Sequence, residues 1–123
     1  QAVLNVARNG VQAMLNENPS ESMRLEFITR AESQIVFHKK KHTTAIRLDI
    51  IDNGPGIKNE FLDKIFYPLV SDKESGSGLG LSLAQNYITQ HNGMIDCSSA
   101  PGKTKFSIIL PIENNLKING VVK

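Results

Sequence analysis

The sequence is most constrained at Gly76-Ser77-Gly78-Leu79-Gly80-Leu81, where alternating glycines open directly into a helix-like segment from Leu81 to His91. Glycine lets backbone amides approach a ligand closely and reach dihedrals closed to other residues. The helix start behind such a run offers unpaired N–H groups and a partial positive charge, a combination that suits phosphate. A glycine-rich turn by itself often only connects two elements. Two further stretches sharpen the reading: Asn5-Val6-Ala7-Arg8-Asn9 and Asp52-Asn53-Gly54-Pro55-Gly56.

The common nucleotide motifs do not fit. A Walker loop ending at Gly102-Lys103-Thr104 needs glycine at position 97, where Cys97 stands. A dinucleotide fingerprint starting at Gly76 needs glycine at position 81, where Leu81 stands. The His-Arg-Asp catalytic loop of eukaryotic protein kinases is absent.

A chain of 123 residues makes one domain with a single two-layer core. Hydrophobic content of 40% and charged content of 21% suit a soluble globular protein. No apolar run nears the ~20 residues of a spanning helix, and no signal peptide is visible. A net charge of +2 is too small to argue for nucleic acid. The single Cys97 rules out an internal disulfide and fits a reducing compartment, where it reads as a buried small residue in a strand.

In chain order, residues 1–16 predict an amphipathic helix whose apolar stripe is Leu4, Ala7, Val11, Met14 and Leu15. Asn5, Asn9 and Gln12 form a second, polar stripe, and two asparagines one turn apart cost helix stability. Met23 to Phe37 reads as strand, with a bend at Arg30–Ser33 that would split it into a hairpin. Lys39-Lys40-Lys41 reads as a solvated loop flanked by His38 and His42, with no metal role. Ala45 to Ile51 is a strand in which Ile46, Leu48 and Ile50 alternate with Arg47 and Asp49. An acid at its end, Asp52, before a Gly-Pro-Gly turn is a poor choice for stability alone. There it can accept a hydrogen bond from a ligand amino group, with the glycines leaving room for a flat ring. Asn59 is placed to cap a short helix from Glu60 to Ile65, and Ile57 to Ser75 is a long connection pinned by aromatics. Leu81, Ala84 and Ile88 mark the core face of the next helix, which Asn92-Gly93 stops. Met94–Ser99 and Lys105–Leu110 pair as a hairpin through Ala100–Lys103, and the end of the chain reads as a tail. The expected fold is α+β: a two-layer sandwich, with a mixed, mostly antiparallel sheet and helices on one face.

These motifs, in this order, resemble the ATP-binding fold shared by sensor histidine kinases, gyrase-type ATPases and Hsp90 chaperones. Asn5-x-x-x-Asn9 resembles the N box, and Asp52-x-Gly54-x-Gly56 the first glycine box. Phe66 resembles the F box, Gly76-x-Gly78-x-Gly80-Leu81 the second glycine box, and Gly102-Lys103-Thr104-Lys105-Phe106 the final Gly-Thr-x-Phe element. The likeness implies a catalytic ATP-binding domain over residues 1–112, truncated at its N-terminus, and a tail over 113–123. It implies ATP and Mg²⁺ as cofactors. Asn9 would give its amide oxygen to Mg²⁺, and Asn5 would sit near the phosphates or the metal's waters. Asp52 would bind the adenine amino group, with Gly54, Gly56 and Ile57 lining the pocket and Thr104 backing it. Gly76, Ser77, Gly78, Leu79, Gly80 and Leu81 would wrap the phosphates. The stretch between the glycine boxes would be a lid, with Phe66 and Tyr67 as its hinge or partner contact.

Hydrolysing members of this superfamily carry glutamate where Asn5 stands, and an amide cannot act as the general base for water. Asn5 therefore favours transfer to another group over hydrolysis, as in the bacterial histidine kinases. The N box, Phe66-Tyr67-Pro68-Leu69-Val70-Ser71, Gln90-His91-x-Gly93 and Pro101-Gly102-x-Thr104 are most similar to the nitrogen-regulation sensor kinases of the NtrB group. That resemblance implies an acceptor histidine on a separate dimerisation domain, because His38, His42 and His91 all fall inside the catalytic pattern. It further implies an NtrC-like response regulator, a PII-like protein, a bacterial cytoplasmic setting and no nucleic acid. Rival readings are a nucleotide-gated protein-binding module, a gyrase- or chaperone-like ATPase, and a Ser/Thr-directed kinase related to anti-sigma factors.

Overall fold

A computed structural model describes residues 1–17, 22–68 and 79–112. Helix α1 spans Ala2–Glu17 and leads to strands β1 (Leu25–Phe37) and β2 (Lys40–Asp52). The short helix α2 (Asn59–Leu62) and helix α3 (Gly80–Gln90) follow, and β3 (Met94–Ala100) and β4 (Lys103–Pro111) close the chain. The four strands form one sheet in the order β1-β2-β4-β3, and each described pairing is antiparallel. Helices α1 and α3 pack on each other and on one face of this sheet, the two-layer α+β sandwich expected from the sequence. Among the described residues no helix is long and apolar enough to cross a membrane.

The core lies between helices and sheet. Val6 from α1, Ala84 and Ile88 from α3, and Ile50, Ile95, Phe106 and Ile108 from the strands form one buried cluster. Phe106, Ile50 and Val6 are its largest fully buried side chains, each stabilising the fold by about 1.5–3 kcal/mol. Helix α3 buries the face its periodicity predicts, with Leu81 partly buried beside Ala84 and Ile88. It ends as Asn92-Gly93 foretells: Asn92 takes a φ of 62°, and the Gly93 and Asn92 amides donate to the Ile88 and Thr89 carbonyls. Gly93 is needed for a separate reason, since a Cβ there would run into the Ile109 carbonyl and the Leu110 and Ile88 side chains.

Helix α1 corrects the expected stripe. Leu4, Val11 and Leu15 are exposed, while Val6, Gly10 and Met14 are buried. The helix carries two apolar faces, and the one that docks has a glycine at its centre. That gap admits the end of β2, where Gly54 approaches Met14 and Asp52 approaches Gly10.

Strand β1 is not split at Arg30–Ser33. It pairs with β2 from Leu25↔Asp52 to Ser33↔Thr44 and again from Ile35↔His42 to Phe37↔Lys40, past Gln34 at φ 56°. The hairpin turn is His38-Lys39, both residues left-handed (φ 54° and 59°), so Lys40 and Lys41 belong to the strand rather than a loop. His38 Nε2–H donates to the Gly93 carbonyl at 2.8 Å, and His42 stacks on Phe37 with ring centroids 4.1 Å apart. The second face of the sheet is also partly closed, by Phe37, Ala45 and Ile109 with Ile35 and Met94 against them. Asp49, which alternates with the apolar Ile46, Leu48 and Ile50 along β2, is buried as well. Asn59 begins α2 instead of capping it, with Lys58 at the cap position. Ile112 still pairs, its N–H donating to the Thr44 carbonyl, and the expected tail 113–123 lies outside the described residues.

Candidate functional site

The site is built where β2 runs out under α1. Asp52 is 5% exposed, and its Oδ1 accepts the Gly54 N–H at 3.0 Å, so the following turn folds back onto the carboxylate. Two glycines make this possible. A Cβ on Gly10 would sit 2.9 Å from Asp52 Oδ2, and one on Gly54 would sit 2.9 Å from Oδ1.

The Gly-Pro-Gly turn is then clipped to the β3–β4 turn. The Gly54 carbonyl accepts the Gly102 N–H at 3.0 Å. Gly56 lies against the Ala100 carbonyl at a φ of 89°, where a Cβ would come within 2.7 Å of that oxygen. One residue on, the Ile57 N–H donates to Ser99 Oγ at 2.7 Å, and Ser99 Oγ shares a 2.8 Å hydrogen bond with Thr104 Oγ1. Thr104 is buried and is the cross-strand partner of both Asp52 and Ser99. Asp52, Thr104 and Ser99 therefore stand in a row across β2, β4 and β3. A buried carboxylate, a hydroxyl beside it and glycine backbone overhead can seat a flat ring bearing an amino group.

The second half of the site lies at the junction of α1 and α3. Asn5 Nδ2 donates to the Gly80 carbonyl at 3.2 Å, and its Oδ1 accepts from Gln1 Nε2 at 3.1 Å. Asn5 is thus half-buried and ties α1 to the first turn of α3. Asn9 sits one turn further along the same stripe, half-buried as well. Helix α3 begins behind Leu79 with no side-chain cap and no acidic residue in its first turn. The amides of its opening turn thus carry the positive end of the helix dipole with no carboxylate of that turn to compete. Leu79, Gly80 and Leu81 are accordingly at the helix start, as expected. Gly76, Ser77 and Gly78 lie outside the described residues, as do Leu69, Val70 and Ser71.

The two aromatics between the halves divide. Phe66 turns inward and meets Phe106 edge-on, with centroids 6.2 Å apart, while Tyr67 is 58% exposed. Cys97 packs at the edge of the core, and its thiol pKa is pushed up to about 12, first by burial and then by the Asp96 and Asp52 carboxylates. A thiol so placed suits packing rather than nucleophilic work. Asp49 lies on the far side of the sheet. Burial alone would raise its pKa, but hydrogen bonds from Ser107 at 2.7 Å and Arg47 at 3.2 Å outweigh that. The charges of Arg47 and Lys105 add to them and hold it below the ordinary aspartate value. Arg30 also approaches it, at 3.8 Å.

Sequence reasoning missed Gly10 and Ser99. Gly10 had a signal, since glycine inside a helix costs about 1 kcal/mol and marks a close approach. Ser99 had a fainter one, a hydroxyl at a strand end that the hairpin register sets opposite Thr104.

Residues 1–114 match the family model described as histidine kinase-, DNA gyrase B-, and HSP90-like ATPase. The chain is 46% identical over 112 residues to the sensory histidine kinase/phosphatase NtrB of Salmonella typhimurium, a stretch covering 91% of this chain and 31% of that protein. It is 47% identical over 112 residues to NtrB of Vibrio alginolyticus, again covering 91% of this chain and 31% of the relative. The chain thus spans about a third of the length of these relatives. Among solved structures it resembles the mycobacterial sensor histidine kinase MprB with a TM-score of 0.71 and 25% identity, covering 89% of this chain and 69% of that one. The catalytic domain of histidine kinase ThkA, at 24% identity, shares the fold with a TM-score of 0.69, covering 90% of this chain and 64% of that one.

Proposed function

This chain belongs to the histidine kinase-, DNA gyrase B-, and HSP90-like ATPase family, and from that premise we propose that it is the ATP-binding catalytic domain of a sensor histidine kinase. The domain comprises residues 1–112, and residues 113–123 follow it as a tail. The observation that carries the proposal is the buried Asp52 carboxylate, flanked by Gly10 and Gly54 with Thr104 in register beside it.

Asp52 accepts a hydrogen bond from the adenine amino group, and Gly54, Gly56 and Ile57 lie against the base. The amides of the second glycine box, from Gly76 to Leu81, receive the phosphates. Asn9 offers the protein oxygen for Mg²⁺. A single neutral amide oxygen suits this ion, which takes most of its ligands from phosphate and water. When bound, the ion neutralises charge on the phosphates.

Phosphoryl transfer is mostly positioning and charge neutralisation, so a domain without its own nucleophile can catalyse it. A histidine ring nitrogen on the kinase's dimerisation domain attacks the γ-phosphorus. The bond to the β–γ bridging oxygen breaks, and ADP leaves. Asn5 is engaged with Gly80 and Gln1 and cannot take a proton, which favours transfer over hydrolysis. By its likeness to NtrB, the kinase would work in the bacterial cytoplasm, in nitrogen signalling, where an NtrC-like regulator would receive the phosphoryl group on an aspartate and a PII-like protein would act on the kinase.

Titration with Mg·ATP tests the pocket. The chain should bind ATP without releasing free phosphate, and Asp52→Asn should weaken binding by roughly 10- to 150-fold, the loss of one charge-assisted hydrogen bond. Unchanged affinity in that variant, or steady phosphate release by the parent chain, would contradict the proposal.

A further inference from the structure

We propose that Ser99 is a positioning residue that sets the hydrogen-bond polarity of the base pocket, and thereby its preference for adenine over guanine. The inference rests on the ATP-pocket reading above and adds a residue to it.

A serine hydroxyl has one proton to give and two lone pairs to receive. The Ile57 N–H can only donate, so it takes one Ser99 lone pair, at 2.7 Å. The hydrogen bond between Ser99 and Thr104, at 2.8 Å, can run either way in principle. Among the described residues these are the two partners of Ser99 Oγ. If Thr104 donated, the Ser99 proton would have no acceptor in a half-buried position, a costly arrangement. An oxygen that already accepts a hydrogen bond is also the stronger donor. The chain therefore runs from Ile57 N–H to Ser99 O–H to Thr104 Oγ1.

That direction leaves the one Thr104 proton to point away from Ser99. Thr104 has Asp52 as its cross-strand partner on the side opposite Ser99. The pocket thus presents a carboxylate acceptor and a hydroxyl donor side by side. The edge of adenine offers the complement, an amino donor next to a ring-nitrogen acceptor. Guanine offers the inverse, a carbonyl acceptor next to a ring N–H donor, and meets like with like at both positions. Ser99 fills one of the two Thr104 lone pairs; without it both lone pairs compete with the Thr104 proton for the edge of the base, so discrimination falls.

The test compares the affinities of Mg·ATP and Mg·GTP for the 123-residue chain and its variants, with thermal melting to verify folding. Ser99→Ala should lower the ATP-to-GTP preference by about tenfold, the scale of one net hydrogen bond. Ser99→Thr, which restores the hydroxyl, should return it, and Ser98→Ala, on the opposite face of β3, should leave it at the parent value. Should Ser99→Ala not fold, the near-isosteric Ser99→Cys, a weak donor, should show a smaller loss in the same direction. Weaker binding of both nucleotides at an unchanged ratio would show a purely structural role and overturn the inference. Asp52→Asn separates the two levels. If it weakens ATP binding while the ratio of Ser99→Ala stays constant, only the Ser99 inference fails; if it leaves ATP binding intact, the pocket reading itself fails.

Discussion

Replacing Gly56 with alanine probes the clip that holds the candidate pocket together. Its φ of 89° is a left-handed conformation, which costs an L-residue about 1–2 kcal/mol. The new Cβ would lie 2.7 Å from the Ala100 oxygen, 3.0 Å from its carbonyl carbon and 3.2 Å from Pro101 N. All three are backbone atoms, so relief requires the two turns to part by several tenths of an ångström, at a strain of roughly 1–3 kcal/mol. Gly102 is the internal control. Its φ is 86°, yet an added Cβ there meets nothing within 4 Å, so Gly102→Ala carries the conformational cost alone. At about 3–6 °C per kcal/mol for a domain of this size, Gly56→Ala should lower Tm by roughly 6–30 °C and Gly102→Ala by roughly 3–12 °C. Because Gly56 connects Asp52 to the Ile57–Ser99 hydrogen bond, Gly56→Ala should also weaken ATP binding more than Gly102→Ala. Melting followed by circular dichroism, with nucleotide titration, reads both effects. Equal losses of stability and affinity in the two variants would refute the reasoning.

Three further outcomes follow from named side chains. Asn9→Ala should abolish the increase in ATP affinity that Mg²⁺ confers, measured by titration with and without the ion; a preserved Mg²⁺ effect would sink the metal assignment. Asp49 has its pKa lowered on folding, so the stability its charge contributes is present above the unfolded aspartate pKa and lost as pH falls through the folded value. Asp49→Asn should accordingly flatten the acid limb of the stability–pH curve below about pH 4, and an unchanged limb would contradict the Arg47–Asp49–Ser107 account. Cys97, with its thiol pushed up to about 12, should resist alkylation at pH 8 in the folded chain and react on unfolding in urea. Rapid labelling of the native protein would show that the site is open and the thiol less perturbed.

The layers of the fold were legible because α3 and the strands carry clean periods. Leu81, Ala84 and Ile88 repeat at helical spacing, and the Asn92-Gly93 stop has a specific backbone need behind it. Helix α1 was misread because it bears two apolar stripes of similar weight. What selects the buried one is not hydrophobicity but the missing Cβ at Gly10, beside which Asp52 must pass. The β1–β2 turn hid for a related reason. His38 and Lys39 adopt left-handed dihedrals usually announced by glycine or asparagine, so the lysine run read as a loop. Alternation along β2 did assign Asp49 to the face away from the helices, but not the Phe37–Ala45–Ile109 cluster beside it. The turn at Gly54 and Gly56 was readable from the Gly-Pro-Gly chemistry, whereas Ser99 joins the site only through the hairpin register and the Ile57 amide.

The most direct measurement mixes this chain with Mg·ATP labelled at the γ-phosphate and the separately produced dimerisation domain of its own kinase. The account predicts label on that partner that is labile to acid and stable to alkali, the signature of a phosphohistidine. Release of the label as free phosphate would instead mark an ATPase and contradict the weight placed on Asn5. Nucleotide binding with no transfer, even when the two domains are covalently tethered, would mark a nucleotide-gated binding module and contradict the kinase reading.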